Sequence, residues 1–330
     1  MRLLVLGGTR FLGHTVAAEG VRRGHDVVCA ARGQAGAVPE GARLITVDRD
    51  AEDGLDPLRG ERFDAVVDVA TISYEWVRRA LDALGDQVRH WTFVSSISAY
   101  ADHTAPPTGV GDPLLPPKAV HGTREANLAD PELYGSIKVA SENAVTAAVG
   151  AKAFIVRAGL ITGPGDESDR FGYWVQRLAR GGRVVVPDVD QRTQFVDVRD
   201  LAAWIIDAAE QGTTGVFDGI GPSVGLLDLL ASIADIIGAE VEFVPVTPDD
   251  LAELKVNHWA GPRSLPLWLP ATHAAMTGRD AAPALAAGLT PRALVDAVLG
   301  TLEHERELGV DRQRKAGLSA AEEVEVLDAL

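Results

Sequence analysis

The sequence predicts a doubly wound α/β fold, in which a mostly parallel sheet carries helices on both faces. Two observations support this fold class. Short apolar runs such as RLLVLGG and HDVVCAAR alternate with segments of helical spacing such as FLGHTVAAEGVRRG. The apolar runs are also continuous rather than alternating with polar residues, which is typical of parallel strands covered on both faces. Such a sheet binds its ligands at the carboxyl ends of the strands.

The individual elements follow in a regular order up to residue 100. RLITVDRD, FDAVVDVAT and HWTFVSS continue the strand series, and AKAFIVRAGLI adds a sixth strand later in the chain. The segment YEWVRRALDALG is a predicted helix that places four apolar side chains on one face, and PELYGSIKVASENAVTAAVG is a second. The apolar face of the first helix consists of Val77, Ala80, Leu81 and Leu84.

Residues 101–131 interrupt this order because they are rich in Pro, Gly and Asp. We expect a long surface loop here, which serves either as a lid or binding loop or as a disordered excursion. Further along, TQFVDVRDLAAWIIDAAEQG is expected to be a strand that leads into a helix capped at Asp200.

Two domains are expected. Residues 1–157 form the predicted dinucleotide-binding domain, to which residues 194–219 return. Residues 158–193 and 220–330 form a smaller C-terminal α/β substrate domain, which contains the Trp- and Pro-rich stretch HWAGPRSLPLWLP.

Composition limits the classes of function. The chain has 330 residues and a formal net charge of −16, so a general nucleic-acid-binding surface is not expected. A single cysteine, Cys29, excludes a disulfide within the chain and a thiolate metal site, and no metal is expected. No apolar run approaches the length of a membrane span, and we expect a cytoplasmic protein that does not bind membranes.

The stretch VLGGTRFLG indicates a phosphate-binding turn between the first strand and the first helix. Gly7, Gly8 and Gly13 allow the backbone to approach a pyrophosphate, and the helix that starts near Phe11 directs free N–H groups toward it. This strand–turn–helix context indicates the first unit of a Rossmann-type sheet. The predicted cofactor contacts are Gly7, Thr9, Arg10, Phe11, Leu12, Gly13, Arg32, Asp48, Ala70 and Lys138.

The end of the second strand favours NADP over NAD. An NAD-binding protein usually places Asp or Glu here, but this chain has Ala30, Ala31 and Arg32. Arg32 can pair with a 2′-phosphate, and Arg10 can approach the same group. The alternative is NAD, with Arg32 stacked on the adenine or facing water. Asp48, at the end of the third strand, is expected to accept a hydrogen bond from the adenine amino group.

The stretch YGSIK predicts a catalytic pair. Tyr134 and Lys138 lie four residues apart on a helix, and therefore on one face, about 6 Å apart along the axis. A neighbouring ammonium lowers the pKa of a phenol, so the pair can exchange a proton with a carbinol oxygen. The serines of FVSSISAY end the fifth strand, where a hydroxyl can orient a substrate oxygen.

The motifs VLGGTRFLG, FVSSISAY, YGSIK and FVDVRDLA together resemble the extended, in part atypical, short-chain dehydrogenase/reductase superfamily, in its NAD-dependent epimerase/dehydratase-like branch. The resemblance implies that Ser96, four residues before the aromatic Tyr100, completes a catalytic set with Tyr134 and Lys138. It also implies homodimers formed through the helices at about 75–85 and 131–149.

Two departures from the family pattern refine this interpretation. Arg10 stands where many members have glycine, as in an atypical subgroup that includes chloroplast RNA-binding proteins. Ile97 and Ser98 follow Ser96, where dehydratases of the family carry Asp-Glu, and this disfavours water elimination.

The first functional hypothesis is an NADP-dependent oxidoreductase of the carbonyl reductase or alcohol dehydrogenase type, acting on a small-molecule, possibly sugar-derived, substrate. The alternatives are a nucleotide-sugar epimerase and a non-catalytic dinucleotide- or RNA-binding protein. Arg192, Tyr173 and Trp174 are the predicted substrate contacts. Further candidates are Trp259, Arg263 and Trp268.

Overall fold

The fold is built around one parallel sheet, as a computed structural model shows for residues 1–123, 126, 129–130 and 132–330. Pro131, which the sequence suggests for the first turn of a helix, lies outside these described residues. The strands are β1 (Arg2–Leu6), β2 (Asp26–Ala31), β3 (Arg43–Thr46), β4 (Ala65–Asp68), β5 (His90–Ser96), β6 (Ala153–Ala158), β7 (Leu160–Thr162), β8 (Gly182–Pro187), β9 (Arg192–Thr193), β10 (Phe195–Asp197), β11 (Gly215–Gly219), β12 (Val224–Gly225), β13 (Val241–Val246), β14 (Asn257–Trp259) and β15 (Ser264–Pro266).

Helices connect these strands and cover them. They are α1 (Phe11–Arg22), α2 (Tyr74–Leu84), α3 (Leu133–Val149), α4 (Arg170–Ala179), α5 (Val198–Gln211), α6 (Leu226–Ile237), α7 (Pro248–Glu253), α8 (Ala282–Ala286), α9 (Leu294–Leu308) and α10 (Ala320–Asp328).

The main sheet has seven strands in the order β11-β6-β5-β4-β1-β2-β3, and all neighbouring pairs are parallel. The strand order reverses direction between β1 and β4, which is where a doubly wound sheet opens a crevice for a ligand. The predicted fold class, a doubly wound parallel sheet, is therefore confirmed.

The two faces of the sheet bury separate apolar cores because helices pack on both sides. Helices α1 and α5 pack against each other on one face, and α2 packs against α3 on the other. Helix α2 buries Val77, Ala80, Leu81 and Leu84, the four side chains that its sequence spacing predicts. The strands β1, β2 and β4 are buried on both faces, which explains their continuous apolar sequences.

A third core lies in the C-terminal region, where α4, α6 and α9 pack around the two-stranded parallel pair β8–β13. The chain supplies α4 and β8 to this region after β6, returns to add β11 to the edge of the main sheet, and then supplies α6, β13 and α9. The segment between β8 and β11 contributes β10, which pairs with β7 outside the main sheet, and α5. The assignment of these regions to two domains stays a prediction.

The start of α5 differs from the expected position. Asp197, not Asp200, caps the helix, since its side chain accepts a hydrogen bond from Arg199 N at 2.9 Å. Asp200 lies in the first turn and accepts instead from the backbone N–H and side chain of Arg292. The sequence DVRD offers two carboxylates of suitable spacing, and tertiary contacts decide between them.

The segment after β5 is anchored more firmly than a free surface loop. Tyr100 forms an antiparallel bridge with Leu114, Leu115 is buried, and the carbonyl of Val110 accepts from buried Arg157. These contacts hold the described residues 101–123 against the carboxyl edge of the sheet.

Candidate active site

The turn between β1 and α1 is a cradle that only glycine can form. Gly7 has φ of +100°, a conformation that other residues rarely adopt. A Cβ on Gly13 would lie 2.2 Å from the carbonyl oxygen of Gly7, so α1 packs directly on the turn. Helix α1 begins at Phe11, whose own φ of +34° is unusual for a residue with a side chain. The backbone N–H groups at the start of α1 are therefore free to receive a phosphate.

A cavity of about 490 Å³ extends from this cradle along the carboxyl ends of the strands. Its volume falls in the range of pockets that bind small molecules and cofactors. The residues predicted for cofactor binding and catalysis all lie on its wall, namely Gly7, Thr9, Arg10, Phe11, Leu12, Gly13, Arg32, Asp48, Ala70, Ser96, Tyr134 and Lys138.

The end of this cavity at β2 carries both basic and acidic side chains. Arg32 directly follows β2, and its side chain is 56% exposed with Nη1 3.9 Å from an Asp50 carboxylate oxygen. Arg10 Nε donates to the carbonyl of Ala35 at 3.1 Å. Asp48 Oδ1 accepts from Asp50 N at 3.1 Å and lies on the same wall. No carboxylate stands in the position that usually receives the ribose hydroxyls of NAD.

The Lys138 ammonium is fixed beneath the cavity. Its Nζ donates to the carbonyl oxygens of Ala70 and Val94, which leaves one N–H for a ligand. Burial lowers the pKa of Lys138 to about 8, although the carboxylates of Asp68 and Glu142 oppose this effect. The group is thus held by carbonyls of β5 and of the turn that follows β4.

Tyr134 and Ser96 lie together at the junction of two cavities, because both line this cavity and its neighbour. Burial raises the pKa of the Tyr134 phenol, while a hydrogen bond with Ser96 and the positive charge of Arg170 act in the opposite direction. The Nζ of Lys138 lies 5.7 Å from the centroid of the Tyr134 ring. Arg170 is thus a second cation that acts on the phenol, in addition to Lys138, which the sequence spacing predicts for this role.

Of the two serines that end β5, only Ser96 is available to a substrate. Ser95 donates to the buried carboxylate of Glu142, which is paired with Arg157 at 2.7 Å. Ser96 Oγ lies 3.1 Å from Ser98 Oγ and accepts from Ser98 N at the same distance. Its hydroxyl lies on the wall shared by both cavities.

The second cavity has a volume of about 560 Å³ and adds residues from the C-terminal half of the chain. Trp259, one of the aromatic candidates of the sequence, lies on its wall. Arg170 also lies there, and sequence reasoning missed it. The available signal was its position, since it is the first basic residue after the GPGDESD turn that follows β7. The residues that this cavity does not share with the first are Ile97, Ser98, Leu160, Asp166, Glu167, Ser168, Arg170, Gln194, Ile220, Trp259, Met276 and Thr277.

The three predicted substrate contacts do not lie on either cavity wall. Tyr173 and Trp174 are buried in the C-terminal core, where Trp174 Nε1 donates to the carbonyl of Pro266 at 2.6 Å. Arg192 instead donates to Ser223 Oγ at 2.8 Å. Aromatic and basic residues at helical or strand spacing serve a core or a surface contact equally well, and the structure places these three outside both cavity walls.

Three further expectations also differ from the structure. Trp268 is buried in the same core, and Arg263 pairs with Glu325 at 2.9 Å. None of the described residues 101–123 lines either cavity, so this part of the loop does not act as a lid in the structure.

In the part of the chain that the structure describes, no group of three or more His, Cys, Asp or Glu side chains is arranged to hold a metal ion. The helices of that part include none with both the length and the apolar sequence needed to cross a bilayer.

The sheet order and the cradle place the chain among α/β proteins that bind dinucleotides at the carboxyl edge of a parallel sheet. The model of the NAD dependent epimerase/dehydratase family matches residues 3–218, and the chain belongs to that family. The resemblance to the short-chain dehydrogenase/reductase superfamily is thereby confirmed. No curated protein matches the chain in sequence.

Solved structures of similar fold cover nearly the whole chain. UDP-N-acetylglucosamine 4-epimerase from Bacillus cereus has a TM-score of 0.69 at 17% identity, over 96% of this chain and 100% of that one. The Bordetella bronchiseptica enzyme WbmH, in complex with NAD+, has a TM-score of 0.66 at 18% identity, over 93% and 99%. UDP-glucuronic acid 4-epimerase from Bacillus cereus, in complex with UDP-glucuronic acid and NAD, has a TM-score of 0.66 at 16% identity, over 93% and 100%. At these identities the similarity establishes the fold.

Proposed function

We propose that the protein is a dinucleotide-dependent epimerase that oxidises and re-reduces a secondary alcohol of a sugar-like substrate. The observation that carries the proposal is the position of Tyr134 and Ser96 on the wall shared by two adjoining cavities. A phenol and a hydroxyl at such a junction can contact a substrate oxygen from the second cavity next to a cofactor in the first.

The residues of the first cavity fit a pyridine dinucleotide. The glycine cradle excludes a Cβ at Gly13, and the start of α1 offers N–H groups to a pyrophosphate. Lys138 has one N–H left for a ribose hydroxyl. When bound, the dinucleotide supplies a hydride acceptor and donor to the reaction.

The side chains of the junction have distinct parts in the proposed reaction. Tyr134, as the phenolate, takes the proton of the substrate hydroxyl during oxidation. It returns this proton when the resulting carbonyl has rotated and is reduced on its other face. Ser96 donates a hydrogen bond to the same substrate oxygen and fixes its distance from the phenol. Arg170 supplies the positive charge that favours the phenolate.

Family membership favours epimerisation over simple reduction. The matched family is one of epimerases and dehydratases, and structural neighbours include epimerases that act on UDP-sugars. Ile97 and Ser98 occupy the positions after Ser96, so no carboxylic acid stands there to protonate a leaving hydroxyl. This favours the epimerase over the dehydratase.

A carbonyl reductase that uses NADPH is the second candidate. One specific observation favours it, namely the presence of Arg32 and Arg10 on the wall of the cofactor cavity. A 2′-phosphate would find two guanidinium groups there and no carboxylate directly after β2. Reductases commonly draw on NADPH, whereas an epimerase regenerates its cofactor within each cycle.

The two reactions can be distinguished with a panel of sugar phosphates, sugar acids and nucleotide sugars. Each compound carries deuterium on its carbinol carbon. An epimerase returns the inverted product with its deuterium and without net change in cofactor absorbance. A reductase consumes one NADPH for each ketone or aldehyde supplied. Tyr134→Phe is the control protein in both assays, and activity that survives in this variant would contradict the assigned role.

A further inference from the structure

The Arg170 side chain stands on the wall of the second cavity with most of its hydrogen-bonding capacity unused. Its Nε donates to Ser168 Oγ at 3.1 Å, and Ser168 Oγ in turn donates to an Asp166 carboxylate oxygen at 3.0 Å. Among the described residues, no carboxylate lies within ion-pair distance of the Arg170 guanidinium, and no acceptor lies within hydrogen-bonding distance of its two terminal nitrogens.

An indole supports this guanidinium from one side. The Cζ of Arg170 lies 4.7 Å from the centroid of the Trp259 ring, which also lines the cavity. Trp259 has φ of +64°, a left-handed conformation that is strained for a bulky residue. Its backbone N–H donates to the carbonyl of Trp268 at 2.9 Å, which helps to hold it in place. Strain of this kind is typical of functional sites.

The chain that leads to Arg170 is also fixed. Asp169 has φ of +61°, and its buried carboxylate accepts hydrogen bonds from Arg312 and from the backbone N–H of Lys315 at 2.7 Å. The guanidinium is therefore attached to a constrained backbone and stacked on a constrained ring. This arrangement is preorganised for a planar anion, since the two terminal N–H groups of a guanidinium match a carboxylate or phosphate.

Other arginines near the cavity are already engaged. Arg279 is buried between Asp218 at 2.7 Å and Asp112 at 2.9 Å. Arg10, at the cavity mouth, lies 3.5 Å from Glu167, which is also a wall residue. A ligand with two adjacent phosphates would meet one unneutralised guanidinium and two wall carboxylates, Asp166 and Glu167.

From this arrangement we infer that the substrate carries a single anionic group, a phosphate or a carboxylate, which Arg170 binds while stacked on Trp259. The inference rests on the proposed function, because it specifies the substrate of the same site. It departs from the nucleoside diphosphate sugars bound by structural neighbours. Carboxylate and monophosphate share the chemistry of a compact oxyanion, and the experiment separates them.

The test is calorimetric titration of the full-length protein, saturated with NADP+, with glucose, glucose 1-phosphate, glucuronate and UDP. Glucose 1-phosphate or glucuronate should bind at least tenfold more tightly than glucose, and UDP no more tightly than either. Arg170→Gln should remove the tenfold advantage, and Arg170→Lys should restore part of it. Arg192→Gln is the matched control, because it removes an arginine that lies outside both cavity walls.

Three results would overturn the inference. They are an unchanged anion affinity in Arg170→Gln with an unchanged melting temperature, equal binding of glucose and both anions, and UDP binding that exceeds the others. Because binding is measured without turnover, the assay separates this inference from the proposed function. A chain that binds the anion through Arg170 but gives neither epimer nor cofactor oxidation would refute only the latter.

Discussion

The two adjoining cavities are built in different ways. The first is formed mainly by short segments at the carboxyl ends of β1 to β6, together with one turn of α3. The second takes Arg170 from α4, Trp259 from β14 and Thr277 from a later turn, so its wall depends on contacts between distant parts of the chain. The wall of the first cavity is thus encoded largely by local segments, whereas the wall of the second is encoded by tertiary packing.

Removal of the Tyr134 hydroxyl should give the largest effect, because this group serves both cavities. Tyr134→Phe is expected to lower kcat by about 10³-fold, since a positioned acid/base typically contributes 10²–10⁴. The dissociation constant for the dinucleotide should stay within about twofold, as measured by fluorescence titration. Tyr173→Phe is the matched control, because the Tyr173 hydroxyl is buried without a side-chain or backbone acceptor and lies away from both cavities.

Substitution of a single glycine should disrupt dinucleotide binding in the first cavity. Gly13→Ala should weaken dinucleotide binding by about 100-fold, because a Cβ there would lie 2.2 Å from the carbonyl of Gly7. Gly111→Ala adds a methyl group where no atom lies within 4 Å and should leave affinity unchanged. Titration with NADPH, together with the melting temperature, separates loss of binding from loss of folding. Equal affinity of the two variants would contradict the cradle.

A smaller effect is expected at the end of the same cavity near β2. Arg32→Ala should lower the affinity for NADPH by about tenfold, the lower end for a charge-assisted contact at an exposed position, with little effect on NADH. Arg59→Ala removes an exposed arginine elsewhere and serves as the comparison. A chain that prefers NADH before and after the substitution would show that Arg32 does not face a 2′-phosphate.

The smallest expected effect is a change in the pH dependence of kcat after substitution of Arg170. Arg170 lowers the pKa of the Tyr134 phenol, so Arg170→Gln should raise that pKa. Alcohol oxidation requires the phenolate, and the acid limb of kcat against pH should therefore move to higher pH. The measurement is the kcat profile at saturating substrate. If the acid limb stays at the same pH in the variant, the charge of Arg170 does not affect the pKa of the phenol.

The sequence predicted the parts of the molecule that are encoded locally. The continuous apolar strands, the buried face of α2, and the cradle at Gly7 and Gly13 each depend on residues that are close in the chain. The position of Lys138 beneath the cavity also follows from its spacing to Tyr134. These features are visible because period and spacing translate directly into a face or a turn.

The substrate wall could not be predicted in the same way. Trp174 and Trp259 are both aromatic residues of the C-terminal region, but the first fills a core and the second faces a cavity. Only the packing of α4 against other elements decides which is which. Arg170 went unnoticed because its role depends on Trp259, which lies 89 residues away in the chain.

The late return of the chain to the edge of the main sheet has a consequence for folding. Strand β6 leaves one side of its backbone without a partner until β11 has been synthesised and has crossed back from the C-terminal region. Asp218 on β11 then accepts from Tyr100 and pairs with Arg279, and so joins segments from three distant parts of the chain. The main sheet is therefore completed only once β11 is in place, and we expect β11 to unfold together with the strands of the amino-terminal region.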